Sequence, residues 1–357
     1  MRVFYFRRFI LKNINKVIMV IIGTLIGAGF ASGREIYLFF MKYGKLGQIG
    51  IIISGIFTGS IIYLVLKKMQ EKQIQNYSDL LQNINPKNKK INKCINVIVN
   101  SFLLISFYVM IAGFSAYMEQ ADKLPIYISS IFFVIICYVV FQKSLQGMMK
   151  INSYLVPVLL FLILYLGIKN IPYLMESNGA ILIQTNQKGF LISSLLYASY
   201  NSIILIPVLV TMKKYISSQR QINLISTISS VLIILLSFAI YGLLLKGQFF
   251  IEELELPLIE ITQEFGSFFR YIYGFVIIVS IFTSAISAGY GFLENVSKDK
   301  NSYKRNLILI SIVGIFVSNI GFSNLVQILY PVFGVLGLIQ ISLLCLSYRV
   351  VQTINKK

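Results

Sequence analysis

The sequence predicts an all-α integral membrane protein of ten transmembrane helices, built as a five-plus-five inverted repeat with helices 1 and 6 broken. Three observations carry that prediction. Hydrophobic residues make up 57% of the chain and charged residues 13%, against about 45–50% and about 25% in soluble domains, which is more apolar surface than a soluble fold hides. Uncharged windows recur along the chain at roughly the 17–25 residues that a hydrocarbon core of about 30 Å requires. Two of these windows, the first and the sixth, are interrupted at corresponding places in the two halves.

The elements follow in order. The first window is Val17–Gly33, continuing past Arg34 and Glu35 through Ile36–Met41, and Leu46–Leu66, Cys94–Met118, Leu124–Gln142 and Ile151–Ile168 complete a first repeat over about 17–170. Gly189–Met212, Gln221–Leu245 and Tyr271–Leu293 open a second repeat over about 189–350. The last window, Asn306–Tyr348, is about twice the length one helix needs. The turn-forming cluster Gly321, Ser323 and Asn324 divides it into two spans. Residues 1–357 thus read as one transmembrane domain. Arg2, Arg7 and Arg8 before an apolar stretch imitate a signal peptide, but the charged Lys12–Lys16 stretch and the length of the next span argue for a retained tail along anionic lipid.

Charge sets the expected orientation. Lys and Arg number 32 against 13 Asp and Glu, a formal net charge of +19. An even number of spans puts both termini on one side. With the N-terminus inside, 24 basic residues fall on the cytoplasmic side and 7 outside, Arg34 lying within a span. This positive-inside asymmetry predicts a multi-pass protein of the cell membrane with both termini cytoplasmic. The basic Lys67–Lys93 loop and the acidic Phe249–Phe269 loop, with Glu252, Glu253, Glu255, Glu260 and Glu264, agree with it. The positive charge therefore belongs with the lipid bilayer and implies no nucleic-acid partner. Histidine and tryptophan are absent, and Cys94, Cys137 and Cys345 lack ligand spacing, so no zinc, haem or imidazole chemistry is supported. Paired carboxylates, nucleophile triads and phosphate loops are also missing, and no enzyme or organic cofactor is expected.

The densest signal is Gly23-Thr-Leu-Ile-Gly27-Ala28-Gly29-Phe-Ala-Ser32-Gly33-Arg34-Glu35. Glycine costs about 1 kcal/mol relative to alanine in a helix interior, so this stretch is poised to unwind. Eleven residues of helix from Lys16 place Gly27 about 16 Å into the bilayer, near its middle. Unwound backbone at that depth has to be buried in protein or line a polar cavity. The alternative is close helix packing through the small-xxx-small pairs Gly23/Gly27 and Gly29/Gly33. In the sixth window Ser193, Ser194 and Ala198-Ser199-Tyr200-Asn201-Ser202 precede Pro207, which reads either as a second break or as an ordinary proline kink with serines bonded to their own carbonyls. Paired breaks would aim exposed helix ends into one cavity, N-terminal ends suiting a carboxylate and C-terminal carbonyls a cation.

Gly27 through Gly33, then Glu35, Phe39-Phe40, Tyr43-Gly44 and Gly47, together with Tyr200-Asn201 through Ile206-Pro207, resemble the YkvI-like bacterial membrane proteins. That group in turn resembles the LeuT-fold transporters of the amino acid–polyamine–organocation superfamily. The resemblance implies a sodium ion between the carbonyls of Gly23 and Ile26, the Thr283-Ser284 pair of the eighth span and the carbonyl of Ser280. Five neutral oxygens suit a monovalent hard cation, although membrane helices also carry Ser and Thr bonded to their own backbone.

Arg34 and Glu35, 18 and 19 residues beyond Lys16, are expected roughly 27–28 Å up, near the outer interface. There they either cap the span by snorkelling or form an extracellular gate with Glu119 or an acidic residue of Phe249–Phe269 opposite. The expected function is secondary active transport of a small zwitterionic solute such as an amino acid, in symport with sodium. Gly27, Ala28, Gly29, Ser32, Ser199, Tyr200 and Asn201 are the candidate contacts. Proton coupling, with Glu35 reached by water, is one alternative, and a nutrient receptor of the same fold without transport is another. The sequence leaves the solute's identity and the oligomeric state open.

Overall fold

The computed structural model describes residues 2–72, 74–85, 88–169, 189–246 and 256–354. Helices account for nearly all of them, and no strand occurs among the described residues. The chain runs through α1 (Arg2–Leu25), α2 (Ala28–Ala31), α3 (Arg34–Phe39), α4 (Gly44–Lys72), α5 (Tyr77–Ile84), α6 (Lys89–Asp122), α7 (Ile126–Phe141) and α8 (Ser144–Lys169). It continues as α9 (Phe190–Thr211), α10 (Gln219–Lys246), α11 (Pro257–Gln263), α12 (Ser267–Val296), α13 (Lys300–Val317) and α14 (Phe322–Ile354). Seven segments, Arg34–Lys72 among them, are long and apolar enough to cross a membrane, and the apolar helices Asn13–Leu25, Ile126–Phe141 and Val332–Leu346 are shorter. The division expected at Gly321 is present: Gly321 adopts φ 89° between a 3-10 turn and α14. The acidic residues Glu252, Glu253 and Glu255 lie outside the described residues.

The first expected span is broken twice. Helix α1 stops at Leu25, and Gly27 takes an extended conformation (φ −96°, ψ −168°) before the single turn of α2. Gly33 then adopts φ 85° before α3, a left-handed conformation that glycine reaches without the Cβ penalty of other residues. Each break leaves backbone groups that must find partners away from water. The Tyr273 hydroxyl of α12 donates to the carbonyl of Ala31 at 2.6 Å, and the backbone N–H of Leu258, in α11, donates to that of Ser32 at 3.3 Å. The irregular backbone is thus buried between α11 and α12, and helix packing alone does not account for the glycines.

The second expected break is absent. Helix α9 runs without interruption from Phe190 to Thr211, with Pro207 inside it. Three of its polar residues serve carbonyls of their own helix. Ser194 Oγ donates to Phe190 O at 2.6 Å, Asn201 Nδ2 to Tyr197 O at 3.0 Å and Ser202 Oγ to Ser199 O at 2.6 Å. Residues 197–210 are buried without a gap, so packing on every side holds one proline in a continuous helix where propensity alone favours a break. Of the two alternatives for this window, the proline tolerated within a helix is the one that forms. Helix α9 packs on α4 and α14, while α12 packs on α6 and α8. Helix α1 sits between α8, α9, α10 and α12, which brings its break to the centre of the molecule.

Candidate functional site

Helix α12 presents Ser280, Thr283, Ser284 and Ser287 on one face, since residues at i, i+3, i+4 and i+7 superpose on a helix. All four are buried. Facing them is the C-terminal end of α1, where the last carbonyls lack helical donors and carry the negative end of the helix dipole. Ser284 Oγ lies 2.9 Å from the carbonyl of Gly23, 3.0 Å from that of Ile26 and 3.4 Å from that of Thr24. One hydroxyl has one hydrogen to give. Three carbonyl oxygens around it therefore leave lone pairs in excess, at the end of a helix whose dipole already favours positive charge.

The expected ion ligands divide at this point. Gly23, Ile26 and Ser284 come together, with Thr24 added. The Thr283 hydroxyl and the Ser280 carbonyl are engaged within their own helix: Thr283 Oγ1 donates to Val279 O at 3.0 Å and to Ser280 O at 3.1 Å. A residue that sequence reasoning missed stands beside them. Asn152 of α8 is fully buried, its Nδ2 donates to Ser287 Oγ at 3.4 Å, and its Oδ1 has no partner. That Oδ1 lies 2.5 Å from where a Cβ on Gly23 would stand. Its sequence signal was an asparagine near the start of an otherwise apolar window, which says nothing about what it faces.

Arg34 and Glu35 are both buried, at 9% and 1% exposure, and the rise of 1.5 Å per residue does not hold across the two breaks that precede them. Tyr200 OH of α9 donates to Glu35 Oε1 at 3.2 Å. A Cβ on Gly29 would stand 2.5 Å from both Glu35 Oε1 and Tyr330 OH, so the face of Gly29 expected to meet a solute carboxylate is covered by the chain's own carboxyl group and a phenol. Among the acids expected opposite Arg34, Glu260 accepts from Gln120 Nε2 at 3.1 Å.

The remaining candidates are distributed around the break. Gly27 faces Met110 and Ser284, and Ala28 packs on Gly113. Ser32 Oγ donates to Gly29 O at 3.2 Å and accepts from the Arg34 N–H at 3.4 Å, which fixes the turn itself. Ser199 Oγ is buried without a partner. Asn201, committed to Tyr197 O, joins Ile26, Phe30 and Tyr197 in lining a cavity of about 10 Å³, about the least volume that takes one water. At that point the centre is closed to a solute. Tyr330, like Asn152, was not among the expected residues; tyrosine in a membrane window gives no sign of which neighbour it meets.

No protein-family model matches the chain. It is 28% identical over 339 residues to the uncharacterized membrane protein YkvI of Bacillus subtilis, covering 93% of this chain and 95% of the relative. It is 25% identical over 324 residues to the uncharacterized protein YyaD of the same organism, covering 90% and 93%. Among solved structures, a Na+-coupled sialic acid symporter in a substrate-bound outward-open state aligns with a TM-score of 0.65 at 11% identity, over 94% of this chain and 78% of that one. The Eremococcus coleocola manganese transporter gives 0.59 at 16%, over 95% and 79%. MhsT in complex with L-phenylalanine gives 0.57 at 16%, over 90% and 86%. The homologues are YkvI-like membrane proteins, and the fold is that of the LeuT-type transporters.

Proposed function

We propose that this protein is a secondary active transporter that carries a small zwitterionic solute, such as an amino acid, together with one sodium ion by alternating access. The observation that carries the reading is the cluster of Gly23, Thr24 and Ile26 carbonyls around the single Ser284 hydroxyl. Neutral oxygens at a helix C-terminus favour a monovalent hard cation, whereas calcium and magnesium sites normally add carboxylates. The ion sits where the unwound backbone begins, so occupancy and the conformation of α2 and α3 are mechanically joined. If sodium and solute favour the same conformation, each raises the other's affinity by the same factor.

Transition-metal cargo has less support. Such sites gather several imidazole, thiolate or carboxylate ligands, and among the described residues no three His, Cys, Asp or Glu side chains come together. The basic cytoplasmic segments implied by the charge count orient both termini inward. The decisive experiment is uptake by the purified full chain in liposomes, with amino acids offered under an inward sodium gradient and then under an equal potassium gradient. Sodium-dependent accumulation supports the proposal. Binding of an amino acid without accumulation in either salt leaves a receptor, and accumulation indifferent to sodium removes the symport.

A further inference from the structure

The ion cluster does not use the most unusual group in the membrane region, the Glu35 carboxylate. Among the described residues no basic side chain bonds to it. The Phe30 amide and the Tyr330 hydroxyl lie close to the carboxyl group and Tyr200 OH donates to Oε1, yet Oε2 is left without a hydrogen-bond partner. Tyr200 and Tyr330 stand beside it, and rings from two further helices pack on Tyr200. Tyr200 and Tyr330 lie 4.6 Å apart at 33°, Phe39 stacks on Tyr200 at 6.4 Å and 4°, and Phe102 meets Tyr200 edge-on at 6.2 Å. A carboxylate with an unpartnered oxygen and two tyrosines beside it complements a protonated nitrogen. The carboxylate supplies charge, the phenols supply lone pairs, and the rings attract a weakly hydrated cation.

The geometry points to Glu35 as the subsite for the protonated nitrogen of the solute, with Tyr200 and Tyr330 as its neutral walls. The cargo is then an amine-bearing molecule and not a nitrogen-free acid. This rests on the transporter reading above and deepens it.

The test uses the purified full chain in detergent with sodium present. Each of the twenty amino acids is compared with its decarboxylated amine and its deaminated acid, binding being read as a thermal shift and then as a titration. Amino acids are expected to bind, the deaminated acids to have no effect, and Glu35→Gln to weaken the amino acids roughly 10- to 100-fold. A cooperative thermal unfolding transition of Glu35→Gln in potassium, as for the wild type, shows the variant folded. Tyr330→Phe, which keeps the ring, should weaken binding less. The inference is overturned if a deaminated acid binds as tightly as its parent, if Glu35→Gln leaves amino-acid affinity unchanged, or if no amine-bearing compound binds. Liposome uptake separates the two proposals: uptake that Glu35→Gln leaves intact removes this subsite and keeps the transporter, while Glu35-dependent binding without uptake keeps the subsite and removes the transporter.

Discussion

Removing the Ser284 hydroxyl has two consequences of different origin, and the structure assigns a size to each. Among the described residues the hydroxyl is the side-chain donor bonded to the carbonyls of Gly23, Thr24 and Ile26. Ser284→Ala leaves a buried acceptor with nothing in exchange, a loss of about 1–3 kcal/mol of stability. In sodium the same change removes an oxygen ligand from a charged guest, worth about 1.5–3 kcal/mol if it resembles a charge-assisted hydrogen bond, or roughly 10- to 150-fold in affinity. At a sodium concentration about 100 times Kd the wild type gains about 2.7 kcal/mol, and a 100-fold weaker variant only about 0.4 kcal/mol. Thr283→Val is the internal control. Its hydroxyl donates to carbonyls of its own helix, and these keep their helical partners, so potassium-only stability should change by about 1 kcal/mol or less. Any ligand role of Thr283 then appears as a weaker sodium response alone. The assay is thermal unfolding of purified protein in detergent, with sodium exchanged for potassium at fixed ionic strength. A Ser284→Ala protein with wild-type stability in potassium and a wild-type sodium response would refute the reasoning.

Three further outcomes are expected. Gly33→Ala forces a Cβ into a φ of 85° and to 2.6 Å from Leu244 Cδ2, so it should lose at least about 1–2 kcal/mol of stability; an unchanged melting temperature would mean the turn relaxes freely. Asn152→Ala removes the unpartnered Oδ1 beside Gly23 and should weaken the sodium response with little loss of stability in potassium, whereas an unaltered response would reduce Asn152 to packing. Single cysteines at Asn88 and Ser267, in a background without Cys94, Cys137 and Cys345, should differ in labelling of intact cells by an impermeant reagent: Ser267 reacts and Asn88 does not, and the reverse pattern would invert the expected orientation.

Much of the architecture follows from signals that act locally. A bilayer imposes a length on every apolar window, and Val17–Met41, Leu46–Leu66 and the division of the last window at Gly321 appear close to where composition puts them. Four glycines in eleven residues weaken a helix wherever it packs, so the break after Leu25 was legible as well. The tertiary structure decided the rest, because the deciding groups lie far apart in sequence or differ only in helical rotation. Thr283 and Ser284 are neighbours with similar chemistry, yet a turn of about 100° per residue aims only Ser284 at the carbonyls of α1. Pro207 and five polar residues read locally as a break, but burial on all sides and nearby carbonyl acceptors keep α9 continuous. The neighbours of Glu35, Tyr200 and Tyr330, arrive from α9 and α14, which no local pattern around residue 35 announces. Where a helix starts is a property of a few adjacent residues; which buried polar group meets which depends on how every other helix packs.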